Sequence, residues 1–138
     1  MVIDNIKIVT EDSIIENGYI IIKDGIIAKI EKGTYLGNDV VIDGKENIAF
    51  PGFIDIHTHG ACGIDFMDAD VADIKRVANA YYKEGITTFL TTTLTSDFDS
   101  LNRVCKTVAK AKDEVESLGG IHLEGPYISA KYKGRSEE

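Results

Sequence analysis

The chain has 138 residues, of which 43% are hydrophobic and 28% charged, and this length and composition allow one ordinary globular domain with a hydrophobic core. The formal net charge of −8 argues against nucleic acid or an anionic membrane surface as a partner, because both select basic patches; a small anionic substrate needs only a local positive site. The two cysteines do not indicate a disulfide framework, and without an apolar leader or span we expect a cytoplasmic protein.

The first fifty residues are predicted to form an N-terminal β-sandwich segment. Four short runs rich in isoleucine and valine favour strands. The runs occupy residues 3–9, 19–22, 26–30 and 40–43. Turn signals lie beside them at Asn17-Gly18, Asp24-Gly25 and Asp43-Gly44. Short strands with this punctuation indicate a small antiparallel sheet or sandwich.

From residue 51 to residue 138 the pattern changes to alternating strands and helices. The predicted order is a strand at 52–57, a helix at 68–84, a strand at 86–93, a helix from Ser96 or Asp97 to Leu118, and a strand at 121–124. We expect Gly119-Gly120 to end the second helix. The alternation predicts a parallel sheet, in either an open doubly wound fold or a (β/α)₈ barrel. Three strands do not distinguish the two, and a barrel needs about 250 residues.

Two histidines stand at the end of the first of these strands, which is predicted to be buried. His57 and His59 are two of the three histidines in the chain, and residues at i and i+2 of a strand project from the same face. Two such imidazoles can hold one metal ion, although His-x-His pairs also arise by chance. Asp55 could orient an imidazole, and Gly60 would let the backbone turn sharply.

Further candidate residues lie at the same edge of the predicted sheet, because ligands gather at the C-terminal ends of parallel strands. Glu124 ends the third strand, and two imidazoles with one carboxylate suit Zn²⁺, Fe²⁺ or Mn²⁺; alternatively, Glu124 is an ordinary surface acid. We interpret His122 as a neighbour of the site or a core residue, and Cys62 as a small buried residue, not as ligands. The threonines at 91–93 are interpreted as strand formers rather than as donors to the site.

Three motifs together resemble the amidohydrolase superfamily: PGFIDIHTHG at 51–60, GITTFLTTT at 85–93 and GIHLEGPYIS at 120–129. The HLEGP stretch at 122–126 is similar to the N-acetylglucosamine-6-phosphate deacetylase branch of that superfamily. The resemblance implies the first three units of a (β/α)₈ barrel, preceded by a small β-sandwich built from both chain ends. It also implies hydrolysis of N-acetylglucosamine 6-phosphate to glucosamine 6-phosphate and acetate.

The same resemblance implies roles for individual residues. Glu124 would be a metal ligand, and His57 and His59 would line or complete a second site. The cofactor would be one or two divalent ions, with Zn²⁺ favoured and Fe²⁺ or Mn²⁺ as alternatives. Arg135 and Ser136 stand where family members contact the substrate, although Arg135-Ser136 departs from the small residue and His or Gln usual there. A full-length homodimer is expected.

The family takes two further histidine ligands, an aspartate general base and a phosphate-binding arginine from later strands. We therefore expect this chain to be the N-terminal portion of the enzyme, to contain no catalytic general base and to be inactive alone. Two alternatives stay open. One is another hydrolase of the superfamily, dihydroorotase-like or adenine deaminase-like, against which the Glu-Gly-Pro stretch argues. The other is a non-catalytic fragment that self-associates through open sheet edges.

Overall fold

The computed structural model describes residues 1–129 and 131–132, which form a mixed α/β structure. The chain divides into two compact units, Met1–Pro51 and Gly52–Glu138. The first unit contains strands only and the second contains both helices. The predicted α/β class is thereby confirmed.

The first unit is a five-stranded mixed sheet. Its strands are β1 (Val2–Val9), β2 (Ile14–Lys23), β3 (Ile26–Lys32), β4 (Val41–Asp43) and β5 (Ile48–Ala49). The order is β3-β2-β1-β4, and β5 also pairs with β1. The β1–β2 and β2–β3 pairs are antiparallel, but β4 and β5 run parallel to β1. The expectation of an antiparallel sheet is therefore only partly correct, because the chain crosses to the far side of β1 after β3.

Two predicted turns of this unit have different outcomes. Asp24 and Gly25 have φ values of 52° and 75° and form the tight turn of the β2–β3 hairpin, as expected for this dipeptide. Gly18, in contrast, lies inside β2 and pairs with both Ile6 and Lys32. A Cβ atom at Gly18 would be 2.6 Å from the Glu31 carbonyl oxygen. The glycine is explained by this close approach of β3, not by a turn.

The second unit alternates strands and helices as predicted. Its elements are β6 (Phe53–Thr58), β7 (Gly60–Ala61), β8 (Ile64–Asp65), α1 (Val71–Lys83), β9 (Ile86–Thr92), α2 (Phe98–Lys112) and β10 (Leu118–His122). The three long strands form a parallel sheet in the order β10-β9-β6. β7 and β8 form a separate short hairpin. The carboxyl ends of β6, β9 and β10 consequently lie at one edge.

The two helices begin at capping aspartates. Asp70 accepts a hydrogen bond from the Asp73 amide in a capping box, and Asp97 accepts one from the Ser100 amide. α2 ends at Lys112, earlier than predicted. Neither helix of the described ranges has the length and apolar composition that a membrane span requires.

Gly119 and Gly120 lie within β10 and do not end a helix. The prediction was wrong because Val115 and Leu118 continue the helical spacing of apolar residues, although the chain has already turned after Lys112. A Cβ atom at Gly119 would be 3.1 Å from the Leu90 side chain. The glycine therefore allows β10 to lie close to β9.

The main core lies between the helices and β9. Its buried members are Phe66, Ile74, Val77, Ala78, Tyr81, Phe89, Val104, Val108, Ala111, Val115 and Leu118. The predicted burial of β6 was wrong, since Ile54 and Ile56 are 66% and 63% exposed. β6 is an edge strand, whereas α1 packs on β9 and α2 on β10.

Candidate metal centre

Three side chains converge at the carboxyl edge of the parallel sheet. His57 lies on β6, His59 directly follows it, and Glu124 follows β10. The Nε2 atoms of His57 and His59 are 3.1 and 3.2 Å from the same Oε2 atom of Glu124. One ligand atom from each of the three residues lies within 4.8 Å of the others. The structure thus brings together the three residues that the sequence singled out as metal ligands.

This arrangement fits a divalent metal ion. Metal–nitrogen and metal–oxygen bonds of zinc sites place neighbouring ligand atoms about 3.0–3.5 Å apart, and the two histidine–glutamate distances match that spacing. Imidazole nitrogens and a carboxylate oxygen suit Zn²⁺, Fe²⁺ and Mn²⁺. The three side chains are 33–48% exposed, so an ion could be reached from solvent.

The backbone of β6 is fixed close to the histidines. Asp55 accepts a hydrogen bond of 3.0 Å from the backbone N–H of His57. Asp55 therefore restrains the strand itself through the backbone of His57, and this contact is not with an imidazole. Gly60 has a φ of 139°, and a Cβ atom there would overlap the Ile64 carbonyl oxygen of β8. The glycine is required both by its φ and by the close approach of that strand.

His122 contacts His57 but is not a member of the ligand cluster. Its ring lies against that of His57 with centroids 4.6 Å apart, and its Nδ1 is 2.9 Å from the Ile56 carbonyl oxygen. Cys62 is exposed, not buried as predicted. Cys62 and Gly63 have positive φ values and form the two-residue turn of the β7–β8 hairpin, which places the thiol in solvent. The predicted substrate contacts Arg135 and Ser136 lie outside the described residues.

The three threonines at the end of β9 do more than favour a strand. All three are fully buried. The Thr92 Oγ1 accepts a hydrogen bond of 2.9 Å from the Thr58 backbone N–H, and the Thr93 Oγ1 accepts one of 3.2 Å from the Glu124 backbone N–H. The Thr91 Oγ1 donates to the Gly120 carbonyl oxygen at 3.3 Å. Their position at the carboxyl end of a predicted parallel strand was the available signal.

Tyr81 was missed because its place on the apolar face of α1 suggests only packing. The Tyr81 hydroxyl is 2.6 Å from the Thr58 Oγ1 and donates to the Gly60 carbonyl oxygen at 3.3 Å. These two contacts bracket His59. Burial raises the pKa of the Tyr81 phenol, and the hydrogen bond with Thr58 partly opposes that rise. The phenol therefore stays protonated and able to donate near neutral pH.

Residues 48–138 match the Amidohydrolase family. The chain belongs to this family. This family is metal-dependent, and the cluster of His57, His59 and Glu124 is consistent with that property.

Two curated relatives of this amidohydrolase chain differ in the sugar that their names give. The chain is 36% identical to the N-acetylglucosamine-6-phosphate deacetylase of Bacillus subtilis, over 97% of this chain and 36% of the relative. It is 29% identical to the N-acetylgalactosamine-6-phosphate deacetylase of Escherichia coli O157:H7, over 93% of this chain and 34% of the relative. The chain thus spans about a third of the length of these relatives.

Two solved structures resemble the amidohydrolase chain over nearly its whole length. The N-acetylglucosamine-6-phosphate deacetylase of Thermotoga maritima has 31% identity and a TM-score of 0.81, over 99% of this chain and 35% of that one. The enzyme of the same name from Pasteurella multocida has 25% identity and a TM-score of 0.90, over 99% of this chain and 37% of that one.

Proposed function

We propose that this amidohydrolase chain carries part of the metal centre of a deacetylase that converts N-acetylglucosamine 6-phosphate to glucosamine 6-phosphate and acetate. The observation that carries the proposal is the convergence of His57 and His59 on one oxygen of Glu124. The reaction class and substrate are supported by the names of the Bacillus subtilis and Thermotoga maritima relatives.

In this proposal Glu124 is the principal ligand, and His57 and His59 line or complete a second site. Zn²⁺ is the favoured ion, Fe²⁺ and Mn²⁺ are alternatives, and one or two ions are bound. A divalent ion there would supply Lewis-acid chemistry, lowering the pKa of water and polarising an amide carbonyl. His57 and His59 must be neutral at Nε2 to donate electron pairs. His122 packs against the His57 ring and limits its rotation.

The wider architecture is part of the same proposal. We infer that 51–138 forms the first three units of a (β/α)₈ barrel and that 1–50 belongs to a β-sandwich. The parallel order β10-β9-β6 with intervening helices supports the first inference. Arg135 and Ser136 would contact the substrate. We further propose that the complete enzyme works as a cytoplasmic homodimer.

One other substrate has specific support. The Escherichia coli relative is named for N-acetylgalactosamine 6-phosphate, which differs from the glucosamine compound only in the configuration of one hydroxyl. The dihydroorotase-like and adenine deaminase-like readings are not favoured, because these relatives are named as amino-sugar phosphate deacetylases. Self-association of a non-catalytic chain stays a prediction, which size-exclusion chromatography would test.

Metal binding by the 138-residue chain is the first test. Titration with Zn²⁺ by calorimetry should give binding that Glu124→Gln and His57→Ala weaken strongly, since each removes one ligand atom. Cys62→Ser is the matched control, because Cys62 is three residues after His59 in sequence but its exposed thiol lies outside the cluster. Wild-type affinity in Glu124→Gln would contradict the proposed site.

Acetate release tests the reaction itself. The protein expressed from its complete gene should release acetate from N-acetylglucosamine 6-phosphate faster than from the galactosamine compound or from N-acetylglucosamine without phosphate. The 138-residue chain alone should show no turnover above a blank containing metal only. Preferential turnover of the galactosamine compound would move the assignment to the second substrate. Turnover of none of the three would refute the deacetylase proposal.

A further inference from the structure

We propose that Thr92 and Thr93 are positioning residues that hold the two ligand-bearing segments of the metal centre to the carboxyl end of the central strand β9. The inference rests on the proposed metal site, which it extends to residues outside the cluster of candidate ligands. It assigns a function to side chains that the sequence pattern explains as strand formers alone.

The first segment is the end of β6. Thr58 stands between His57 and His59, and its backbone N–H donates to the Thr92 Oγ1 at 2.9 Å. This hydrogen bond fixes the peptide between His57 and Thr58, which lies between the two histidine side chains along the chain. Because side chains at i and i+2 share a face, a rotation of that peptide would move both imidazoles away from Glu124.

The second segment is the chain after β10. The backbone N–H of Glu124 donates to the Thr93 Oγ1 at 3.2 Å. This contact holds the ligand's own Cα at the sheet edge, beyond the last residue of β10. Gly125 follows with a φ of 87°, and a Cβ atom there would overlap the Thr95 side chain. The segment therefore lies directly against the chain that continues from β9.

Burial makes these hydroxyls suitable for the task. Thr92 and Thr93 are fully buried, so water cannot easily replace a lost hydroxyl as the acceptor. An N–H group left without an acceptor in such a place is costly, and the backbone would shift to find a new one. Two adjacent side chains, the last residue of β9 and the residue after it, thus control the relative positions of ligands that are 67 residues apart in sequence.

Thr91 offers a matched control on the same strand. It is as deeply buried as Thr92 and Thr93, and its Oγ1 also bonds to the backbone. Its partner, however, is the Gly120 carbonyl oxygen within β10, four residues before Glu124. Thr91→Val should therefore affect stability without changing the metal centre.

The experiment is a titration of the 138-residue chain with CoCl₂, followed by visible absorption, which reports both affinity and coordination geometry. We expect Thr92→Val and Thr93→Val to weaken Co²⁺ binding by about 10-fold or more and to change the spectrum, as loss of an outer hydrogen-bond partner commonly does. Thr92→Ser and Thr93→Ser keep the hydroxyl and should restore both. Thr91→Val should bind Co²⁺ as the wild type does, even if its metal-free melting temperature falls by as much as theirs.

The outcomes separate this inference from the metal site on which it rests. If the wild type binds Co²⁺ but the two valine variants keep its affinity and spectrum, or Thr91→Val weakens binding equally, the positioning role is overturned and the metal site stands. If neither this chain nor the protein expressed from its complete gene binds Co²⁺, the proposed metal site fails and the inference falls with it.

A measurement without variants keeps the inference testable if the valine chains do not fold. Amide hydrogen exchange of the wild-type chain with Zn²⁺, followed by NMR, should show slow exchange at Thr58 and Glu124, because each N–H is bonded to a buried hydroxyl. Exchange of both amides at the rate of an exposed loop would overturn the proposal.

Discussion

β9 and β6 are neighbours in one parallel sheet, yet they differ greatly in exposure. Phe89 and Thr92 on β9 are fully buried, whereas Ile54 and Ile56 on β6 are 66% and 63% exposed. β6 nevertheless carries His57, one of the candidate ligands. The strand that carries a candidate ligand, β6, is therefore more exposed to solvent than its neighbour β9. The position of β6 depends on hydrogen bonds from the buried strand beside it.

The largest expected effect tests the role of β9 as the stable part of this pair. The Phe89 ring stacks on that of Phe66 with ring centroids 6.0 Å apart, and it meets the Tyr81 ring edge-on with centroids 5.2 Å apart. Phe89→Ala should lower the free energy of unfolding by about 3–5 kcal/mol, because it removes buried surface and leaves a cavity. Urea unfolding followed by circular dichroism measures the change.

Ile56→Ala on β6 is the matched control for that prediction. Because Ile56 is mostly exposed, its truncation should change the free energy of unfolding by no more than about 0.5 kcal/mol. A cost for Ile56→Ala comparable to that of Phe89→Ala would break the comparison, since β6 would then be packed as tightly as β9.

A bound ion should reduce the difference between the strands. Zn²⁺ held by His57, His59 and Glu124 would tie the end of β6 to the chain after β10. At a free Zn²⁺ concentration of 100 times Kd the added stability is about 2.7 kcal/mol. Thermal unfolding with and without Zn²⁺ measures it.

Two variants sharpen the zinc prediction. Glu124→Gln should lose the stabilisation, and Cys62→Ser should keep it, because the exposed thiol lies outside the cluster. Equal stabilisation of wild type and Glu124→Gln would place the Zn²⁺ elsewhere on the chain.

The alternation of strands and helices was predictable because apolar residues recur with a different period in each kind of element. Periodicity failed where it continued past the real end of an element: Val115 and Leu118 extend the helical pattern, although α2 stops at Lys112. Periodicity also could not reveal on which strands the helices pack. The apolar run of β6 has the composition of a buried strand, but burial depends on what packs against it.

The candidate site was predictable for a topological reason. Carboxyl ends of parallel strands meet at one edge, so a histidine pair at the end of β6 and a glutamate after β10 had to lie near each other. The supporting hydrogen bonds were not predictable, because a threonine in a strand or a tyrosine on a helix face is ordinary in sequence. Only the folded structure shows that Tyr81 and Thr92 reach the backbone around the histidines.

A smaller effect is expected at Tyr81, which bonds to the end of β6 from the helix side of β9. Tyr81→Phe should lower the free energy of unfolding by about 1 kcal/mol, because the hydroxyl contacts with Thr58 and Gly60 are lost while the ring stays in the core. A double-mutant cycle with Thr58→Val in urea unfolding measures the coupling. Strictly additive costs would show that the 2.6 Å contact contributes nothing to holding β6.

The smallest expected effect is a pH dependence of stability at α2, one of the two helices that cover the sheet away from β6. Asp97 begins α2, the helix that packs on β10, and hydrogen bonds from the Ser100 backbone N–H and then from the Ser100 hydroxyl lower the pKa of its carboxyl group. Since the folded pKa lies below the unfolded value of about 3.9, the stabilisation is present above that value and is lost as the pH falls through the folded pKa.

Asp97→Asn tests this pH dependence, because asparagine caps helices about as well but does not ionise. The melting temperature of the wild type should exceed that of Asp97→Asn at pH 6, and the difference should shrink as the pH falls below about 4. Asp99→Asn removes one negative charge from the same first turn and controls for charge alone. A difference that stays constant down to the lowest pH would show that ionised Asp97 does not stabilise α2, and that the helix beside β10 depends on its packing rather than on its cap.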